Sequence, residues 1–272
     1  MKKILVCFMV FNVLTVSPLF GKEYTLSMLP RYFPEKLTAM ITPLASYLSK
    51  ETGLNIVPVL TKNFADYQAR ILLNRNIAIG YENPVVYVKI SSAHEVIATA
   101  IKGEGGKKFR GIVITRPDSG ITDLFLLKGK KVMIVGKTSA GGYLSQKLTL
   151  QNMGIDVDRD CHISVAADNR QENVIISVSI GDVDAGFIRE SAFHKADQFI
   201  RPGSVVSVAK TAWLPNWALS VDRNLPASIK QSIQKAVLKL QKNGNKVLKS
   251  MGLKAFVHAT DSDYNIMRQF VR

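Results

Sequence analysis

The feature that most constrains the fold is an alternation of short apolar strands with amphipathic helices. Residues 24–29 alternate like a strand, and apolar residues recur at helical spacing from Pro34 until Gly53, which ends the helix. The same order repeats in later segments, with strands predicted at 54–60, 77–80, 96–101 and 111–115 and helices over 64–74 and from 84. Strands that alternate with helices in this way predict parallel β/α units and an α/β fold.

The alternation restarts after the turn at residues 117–120. Strands are predicted at 131–135, 162–165, 185–188, 205–208 and 218–221, and helices over 143–153, 173–180 and from about 226. The restarts favour two lobes joined by short crossings near Arg116 and Trp213. A single continuous doubly wound sheet is the alternative that the pattern alone leaves open. In the two-lobed form, a ligand would lie in the crevice at the carboxyl ends of the strands.

Residues 1–21 have the features of a secretory signal peptide. Lys2 and Lys3 precede an apolar run over residues 4–16, and Gly21 is a suitable residue before a cleavage site. The alternative is a retained membrane anchor, although the apolar run is shorter than the ~20 residues that a spanning helix needs. After cleavage Cys161 is the one remaining cysteine, so no disulfide can form within the chain. We therefore expect an exported protein.

The chain is strongly basic. Its formal charge of +15 falls to +13 when Lys2 and Lys3 leave with the signal peptide. Nucleic acid is one class of partner for such a chain, but the lysines are scattered, and the densest group lies along one amphipathic segment from Lys230 to Lys254. This distribution favours a solvated helix face over a nucleic-acid surface. In an exported protein, excess positive charge favours an anionic ligand or proximity to an anionic membrane surface.

The loop at residues 136–142, between a predicted strand and a predicted helix, is the most informative local feature. Free backbone N–H groups, the positive end of the helix dipole and the hydroxyls of Thr138 and Ser139 favour binding of an anion. The loop is not a Walker A sequence, because Tyr143 follows the paired glycines where that motif requires Lys and then Ser or Thr. A tight turn that uses glycine only for close packing is the alternative.

The sequence offers no constellation for catalysis or for a metal. A Gly-x-Ser-x-Gly elbow is absent, and Cys161 has no neighbours that mark it as a nucleophile. The histidines are isolated from other potential ligands: His94, His162, His194 and His258. We therefore expect no enzymatic activity, no metal and no cofactor.

Aromatic residues follow several predicted turns. Tyr67 and Tyr81 lie near predicted strand ends, where a cleft would use a ring face and a hydroxyl. Trp213 and Trp217 flank the second crossing. Core packing is the alternative role for all four.

The order of these elements resembles that of the phosphate/phosphite/phosphonate class of ABC-transporter substrate-binding proteins, which are type II periplasmic binding proteins. The resemblance spans nearly all of the chain after the signal peptide. It is carried by residues 43–53, 109–132, 142–156 and 181–186, with weaker similarity at 214–216 and 256–268. It implies two α/β lobes joined by two crossing segments, with a ligand cleft between them. The lobes would comprise residues 22–116 plus 214–272 and residues 117–213.

The resemblance also implies a set of ligand contacts. The family's hydroxyl-rich loop at a helix N-terminus corresponds to Thr138, Ser139, Ala140, Gly141 and Gly142, of which only the first two keep a hydroxyl. Each lost hydroxyl removes a hydrogen bond of roughly 1.5 to 3 kcal/mol to a charged ligand.

Four further positions follow from the same resemblance. The family's tyrosines correspond to Tyr67 and Tyr81, and its histidine to Gln171, with Asn169 or Arg170 as alternatives. Glu190 lies where a carboxylate would meet a ligand's amine, and an exposed helix glutamate is the alternative role. The implied function is capture of a small oxyanion, such as phosphonate, phosphite or phosphate, by a monomer that delivers it to an ABC permease. A sensory or adaptor module that presents another small ligand to a membrane receptor kinase is the alternative.

Overall fold

The structure is a computed structural model that describes residues 22–73, 76–103, 106–240 and 246–271. The predicted signal peptide at residues 1–21 lies outside the described residues. Within the described ranges, no helix is both long enough and apolar enough to cross a membrane.

The strands follow one another along the chain as β1 (Glu23–Met28), β2 (Asn55–Pro58), β3 (Ile79–Glu82), β4 (His94–Ile101), β5 (Lys108–Phe109), β6 (Gly111–Thr115), β7 (Lys131–Ile134), β8 (His162–Val165), β9 (Ala185–Arg189), β10 (Val206–Lys210), β11 (Leu214–Pro215), β12 (Ala218–Asp222) and β13 (Ala255–His258). The α-helices are α1 (Pro34–Thr52), α2 (Phe64–Leu72), α3 (Pro84–Ile90), α4 (Ser145–Asn152), α5 (Val157–Asp160), α6 (Gln171–Ile180), α7 (Glu190–Phe193), α8 (Ala227–Leu238) and α9 (Lys246–Met251). Most elements lie within a few residues of the positions predicted from the sequence.

The first lobe is built on a six-stranded sheet in the order β13-β4-β12-β3-β1-β2. β1 is parallel to β2 and β3, whereas β12 is antiparallel to both β3 and β4. Helix α1 covers this sheet with Leu37, Leu44 and Leu48, which are buried because their spacing places them on one helix face. Gly53 ends the helix in a left-handed conformation at φ 71° that favours glycine.

The second lobe is built on a five-stranded sheet in the order β10-β6-β9-β7-β8. β7 is parallel to β8 and β9, and β6 is antiparallel to β9. β6 therefore belongs to the second lobe, and the boundary predicted after residue 116 is wrong by the length of this strand. Periodicity identifies a strand but not its partner, so the sequence pattern had no means of assigning β6 to a sheet.

The two crossing segments pair with each other. β5 and β11 form a short antiparallel ribbon in which Leu214 lies opposite Phe109 and Pro215 opposite Lys108. Each crossing then supplies an antiparallel strand, β6 or β12, to the sheet that it enters. The alternative of one continuous sheet is wrong, and the two-lobed α/β architecture is confirmed.

Candidate functional site

The chain direction of the parallel strands brings five segments to the face between the lobes. In the first lobe Arg31, Tyr81 and Lys102 lie at or just beyond the carboxyl ends of β1, β3 and β4. In the second lobe the loop at residues 136–142 follows β7, and Arg189 ends β9. Crevices at the carboxyl ends of parallel strands are where α/β folds bind ligands.

The loop after β7 starts a helical segment and provides backbone donors. Ser139 accepts a hydrogen bond from the Gly142 N–H on its Oγ (3.1 Å) and one from the Leu144 N–H on its carbonyl (2.9 Å). The N–H groups of Ala140 and Gly141 donate to no acceptor within the part of the chain that the structure describes. Since a helical turn from residue 140 continues directly into α4, these N–H groups lie at the positive end of the helix dipole.

A buried glutamine holds this loop against the second sheet. The Gln146 side chain is fully buried, and its Nε2 donates to the carbonyls of Ile112 (3.0 Å), Gly141 (3.0 Å) and Ile188 (3.1 Å). Gln146 thereby ties α4 and the loop to β6 and β9. The loop is fixed relative to Arg189, which directly follows Ile188 in the chain.

Arg189 is the central cation of the site. Its guanidinium carbon lies 3.7 Å from the centre of the Phe109 ring, and its Nη2 donates to Oδ1 of Asn216 at 3.5 Å. Its Nε–H is buried and has no acceptor among the described residues. Burial, followed by repulsion from Arg31, lowers the pKa of Arg189 to about 10. An arginine in this state has strong hydrogen-bonding capacity that the protein itself leaves unused.

The glycine at position 141 makes room for this arginine. A Cβ atom at Gly141 would lie 2.9 Å from Cγ of Arg189 and 3.0 Å from Cε2 of Phe109. These separations are shorter than an ordinary carbon contact of about 3.5–4.0 Å. Any residue with a Cβ atom at position 141, including one that bears a hydroxyl, would therefore displace Arg189 or Phe109.

Aromatic rings form the first lobe's side of the site. Tyr81 and Trp217 are buried, and their ring centres are 5.1 Å apart. The Arg31 guanidinium carbon lies 5.1 Å from the centre of the Trp217 ring. Burial raises the pKa of Tyr81, whereas the positive charges of Arg31 and Arg189 act in the opposite direction. Both arginines therefore lie close enough to Tyr81 to act on its hydroxyl.

The predicted contacts Tyr67 and Glu190 are engaged within the protein. The Tyr67 side chain is fully buried and donates to Oε2 of Glu82 at 2.6 Å. Glu190 accepts two hydrogen bonds of 2.7 Å from Arg110, and Lys210 lies at 3.4 Å. Hydrogen bonding from Arg110 lowers the pKa of Glu190. Each side chain already has a partner within the protein, and the ligand contacts predicted for Tyr67 and Glu190 stay predictions.

The remaining predicted positions lie around the loop and Arg189. Gln171 accepts the backbone N–H of Arg189 on Oε1 (2.8 Å), so it positions that residue. Thr138 is exposed, Ser139 and Ala140 are partly buried, and Gly141 is buried against Arg189. Among the described residues, no group of three or more potential metal ligands is present.

Sequence reasoning missed Arg31, Lys102 and Arg189. A usable signal was present, because each lies at or just beyond the end of a strand that was correctly predicted. The rule that selected Tyr81 as a strand-end residue applies equally to these cations. The site therefore combines backbone donors, a half-buried arginine and two aromatic rings, an arrangement suited to binding a small anion.

Comparisons with known proteins identify the family and the fold. Residues 26–264 match the family model described as ABC transporter, phosphonate, periplasmic substrate-binding protein.

Several solved structures share the fold. PhnD1 from Prochlorococcus marinus, solved in complex with methylphosphonate, has a TM-score of 0.68 at 14% identity, with 92% of this chain and 97% of that chain covered. A Xanthomonas citri protein bound to ATP has a TM-score of 0.71 at 16% identity, with 91% and 95% covered. A binding protein component of an ABC phosphonate transporter from Pseudomonas aeruginosa has a TM-score of 0.65 at 16% identity, with 92% and 86% covered. The type II periplasmic binding fold is thus confirmed.

Proposed function

We infer the function of this chain from its membership: it belongs to the family of periplasmic substrate-binding proteins of phosphonate ABC transporters. Proteins of this family bind a solute for import. We propose that this chain captures a small tetrahedral oxyanion, a phosphonate, phosphite or phosphate, between its lobes. It would then deliver the ligand as a monomer to a permease in the inner membrane, without chemical change, after export with cleavage of residues 1–21.

The observation that carries this proposal is the buried, unpartnered Nε–H of Arg189 beside the loop donors. A buried donor without an acceptor costs about 1–3 kcal/mol, and more when the group is charged. An oxyanion placed against Ala140 and Gly141 would accept from both backbone N–H groups and from Arg189. The binding of such a ligand would remove the cost, and the lost hydroxyls of the loop would be replaced by a charge-assisted hydrogen bond.

Closure of the lobes is the second part of the proposal. Arg189 of the second lobe reaches Asn216 at the second crossing and packs on Phe109 at the first. A rotation about the β5–β11 ribbon would separate the loop from Tyr81 and Trp217 and admit the ligand. A ligand that contacts both lobes would favour the closed form, because it interacts more strongly with that form.

Isothermal titration calorimetry tests this function. The chain is expressed with its own N-terminus, purified from a periplasmic extract and titrated with methylphosphonate, phosphite, phosphate and sulfate. Mass spectrometry of the purified chain identifies its first residue, and light scattering gives its oligomeric state. We expect at least one phosphorus oxyanion to bind, and binding of none of them would refute the proposed function.

Two matched variants test the site. Arg189→Gln removes the central cation, and we expect an affinity loss of about 10- to 150-fold, since a hydrogen bond to a charged group contributes about 1.5–3 kcal/mol. Arg159→Gln is the control, because it removes an equal charge from a residue whose side chain is 72% exposed. Equal affinities in the two variants would show that the ligand binds elsewhere.

A further inference from the structure

The mouth of the cleft carries cations from both lobes: Arg31 lies 5.1 Å from the centre of the Trp217 ring, and Arg189 lies 3.7 Å from that of Phe109. Lys102 lies close enough to four other cations for their repulsion to act on it: Arg31, Arg189, Lys195 and Lys36. Loss of hydration, followed by this repulsion, lowers the pKa of Lys102 to about 8, even though part of the side chain is exposed. Within the described ranges, no ion pair joins any of the five side chains to a carboxylate. Arg31, Lys36 and Lys102 belong to the first lobe, and Arg189 and Lys195 to the second.

Two carboxylates near this mouth, Glu190 and Glu82, are not free to receive a cationic ligand group. Glu190 is neutralised by its two hydrogen bonds with Arg110 and by Lys210. Glu82 is fully buried behind Tyr67, and burial raises the pKa of Glu82 to about 8. It is therefore largely uncharged at neutral pH. An ammonium group on a ligand would meet like charges there, and neither Glu190 nor Glu82 would offer it a free negative charge.

We propose that the ligand is a phosphonocarboxylate, an organic phosphonate whose short substituent ends in a second acidic group, and that aminoalkylphosphonates are disfavoured. This proposal rests on the proposed function. The phosphonate would bind the N–H groups of Ala140 and Gly141 together with Arg189. The carboxylate would be directed to Arg31 and Lys102, which lie at the first lobe's edge of the same cleft.

The contacts between the lobes restrict the length of the substituent. Tyr81 and Trp217 are 4% and 9% exposed, and Arg189 already touches the Phe109 ring of the crossing. Arg189 donates to Asn216 at 3.5 Å, and Arg31 lies 5.1 Å from the ring centre of the adjacent Trp217, so the two cations approach neighbouring residues of the second crossing. This favours a linker of one or two methylene groups over a ligand with the bulk of a nucleoside.

Calorimetry on the full chain purified from the periplasm tests the proposal with four probes: methylphosphonate, phosphonoacetate, 2-aminoethylphosphonate and ATP. We expect phosphonoacetate to bind at least about tenfold more tightly than methylphosphonate, and 2-aminoethylphosphonate to bind more weakly than both. Tighter binding of 2-aminoethylphosphonate or of ATP than of phosphonoacetate would overturn the proposal. Equal affinities for phosphonoacetate and methylphosphonate would overturn it too and leave the proposed function intact, whereas failure of every phosphonate to bind would refute both.

A pair of variants tests the assignment of Arg31. Arg31→Gln should reduce the ratio of the phosphonoacetate and methylphosphonate affinities to about one, with a much smaller effect on methylphosphonate itself. Lys235→Gln, on the exposed face of α8, removes the same charge away from the cleft and should leave the ratio unchanged. A ratio that falls equally in both variants would mean that only the overall charge of the protein attracts the ligand, and would overturn the assignment.

Discussion

A single methyl group added at Gly141 should weaken ligand binding by displacing Arg189. The new Cβ of Gly141→Ala would lie 2.9 Å from Cγ of Arg189, so the side chain must move away from the loop. Overpacking of this kind costs about 1–3 kcal/mol. If this cost destabilises only the ligand-bound form and not the ligand-free form, the affinity for methylphosphonate decreases by about 5- to 150-fold. Calorimetry measures this loss directly.

A double-mutant cycle on stability isolates the cause. Gly141 and Arg189 both belong to the second lobe, so their contact does not depend on lobe closure. Arg189→Ala removes the Cγ atom, and in that background the added methyl group has only the ring of Phe109 to avoid. We expect a coupling free energy of at least about 1 kcal/mol from urea unfolding of the four chains. An equal cost of Gly141→Ala in both backgrounds, or unchanged affinity in the single variant, would refute the argument that glycine makes room for the arginine.

Three further predictions concern the side chains near the site that have internal partners. Glu190→Gln should lower the free energy of unfolding by about 1–2 kcal/mol, because it breaks the bidentate pair with Arg110. The affinity for 2-aminoethylphosphonate should stay within about twofold. Denaturation measures the stability and calorimetry the affinity, and a large change in affinity would mean that Glu190 contacts the ligand. Stability should decrease as the pH rises from about 5 through 8, because burial raises the pKa of Glu82 to about 8 and the folded chain retains a proton that the unfolded chain has released. In Glu82→Gln the melting temperature should depend less on pH over this range. A pH dependence equal to that of the unmodified chain would contradict this cause. Tyr67→Phe should cost about 1–3 kcal/mol of stability, because Glu82 loses one of its donors, but should change oxyanion affinity by less than about twofold. A larger loss of affinity would mean that Tyr67 contacts the ligand.

Local patterns were sufficient for the secondary structure. The spacing of apolar residues in α1 and the left-handed residue Gly53 at its end depend only on neighbours within a few positions, so the sequence alone determines that helix. The same holds for the strands, several of which match their predicted bounds. The sequence also indicated a two-lobed binding protein of the phosphate/phosphite/phosphonate class, because the order of its elements resembles that of the family.

Only the tertiary structure decided which side chains share the site. Arg31, Gly141 and Arg189 are separated by many tens of residues, and no local spacing indicates that they converge. Their convergence follows from sheet topology, which brings the carboxyl ends of β1, β7 and β9 to one cleft. Burial then decided which polar groups stay free. Tyr67 and Glu190 were reasonable choices by position but already have internal partners, whereas Arg189 keeps a donor without an acceptor among the described residues.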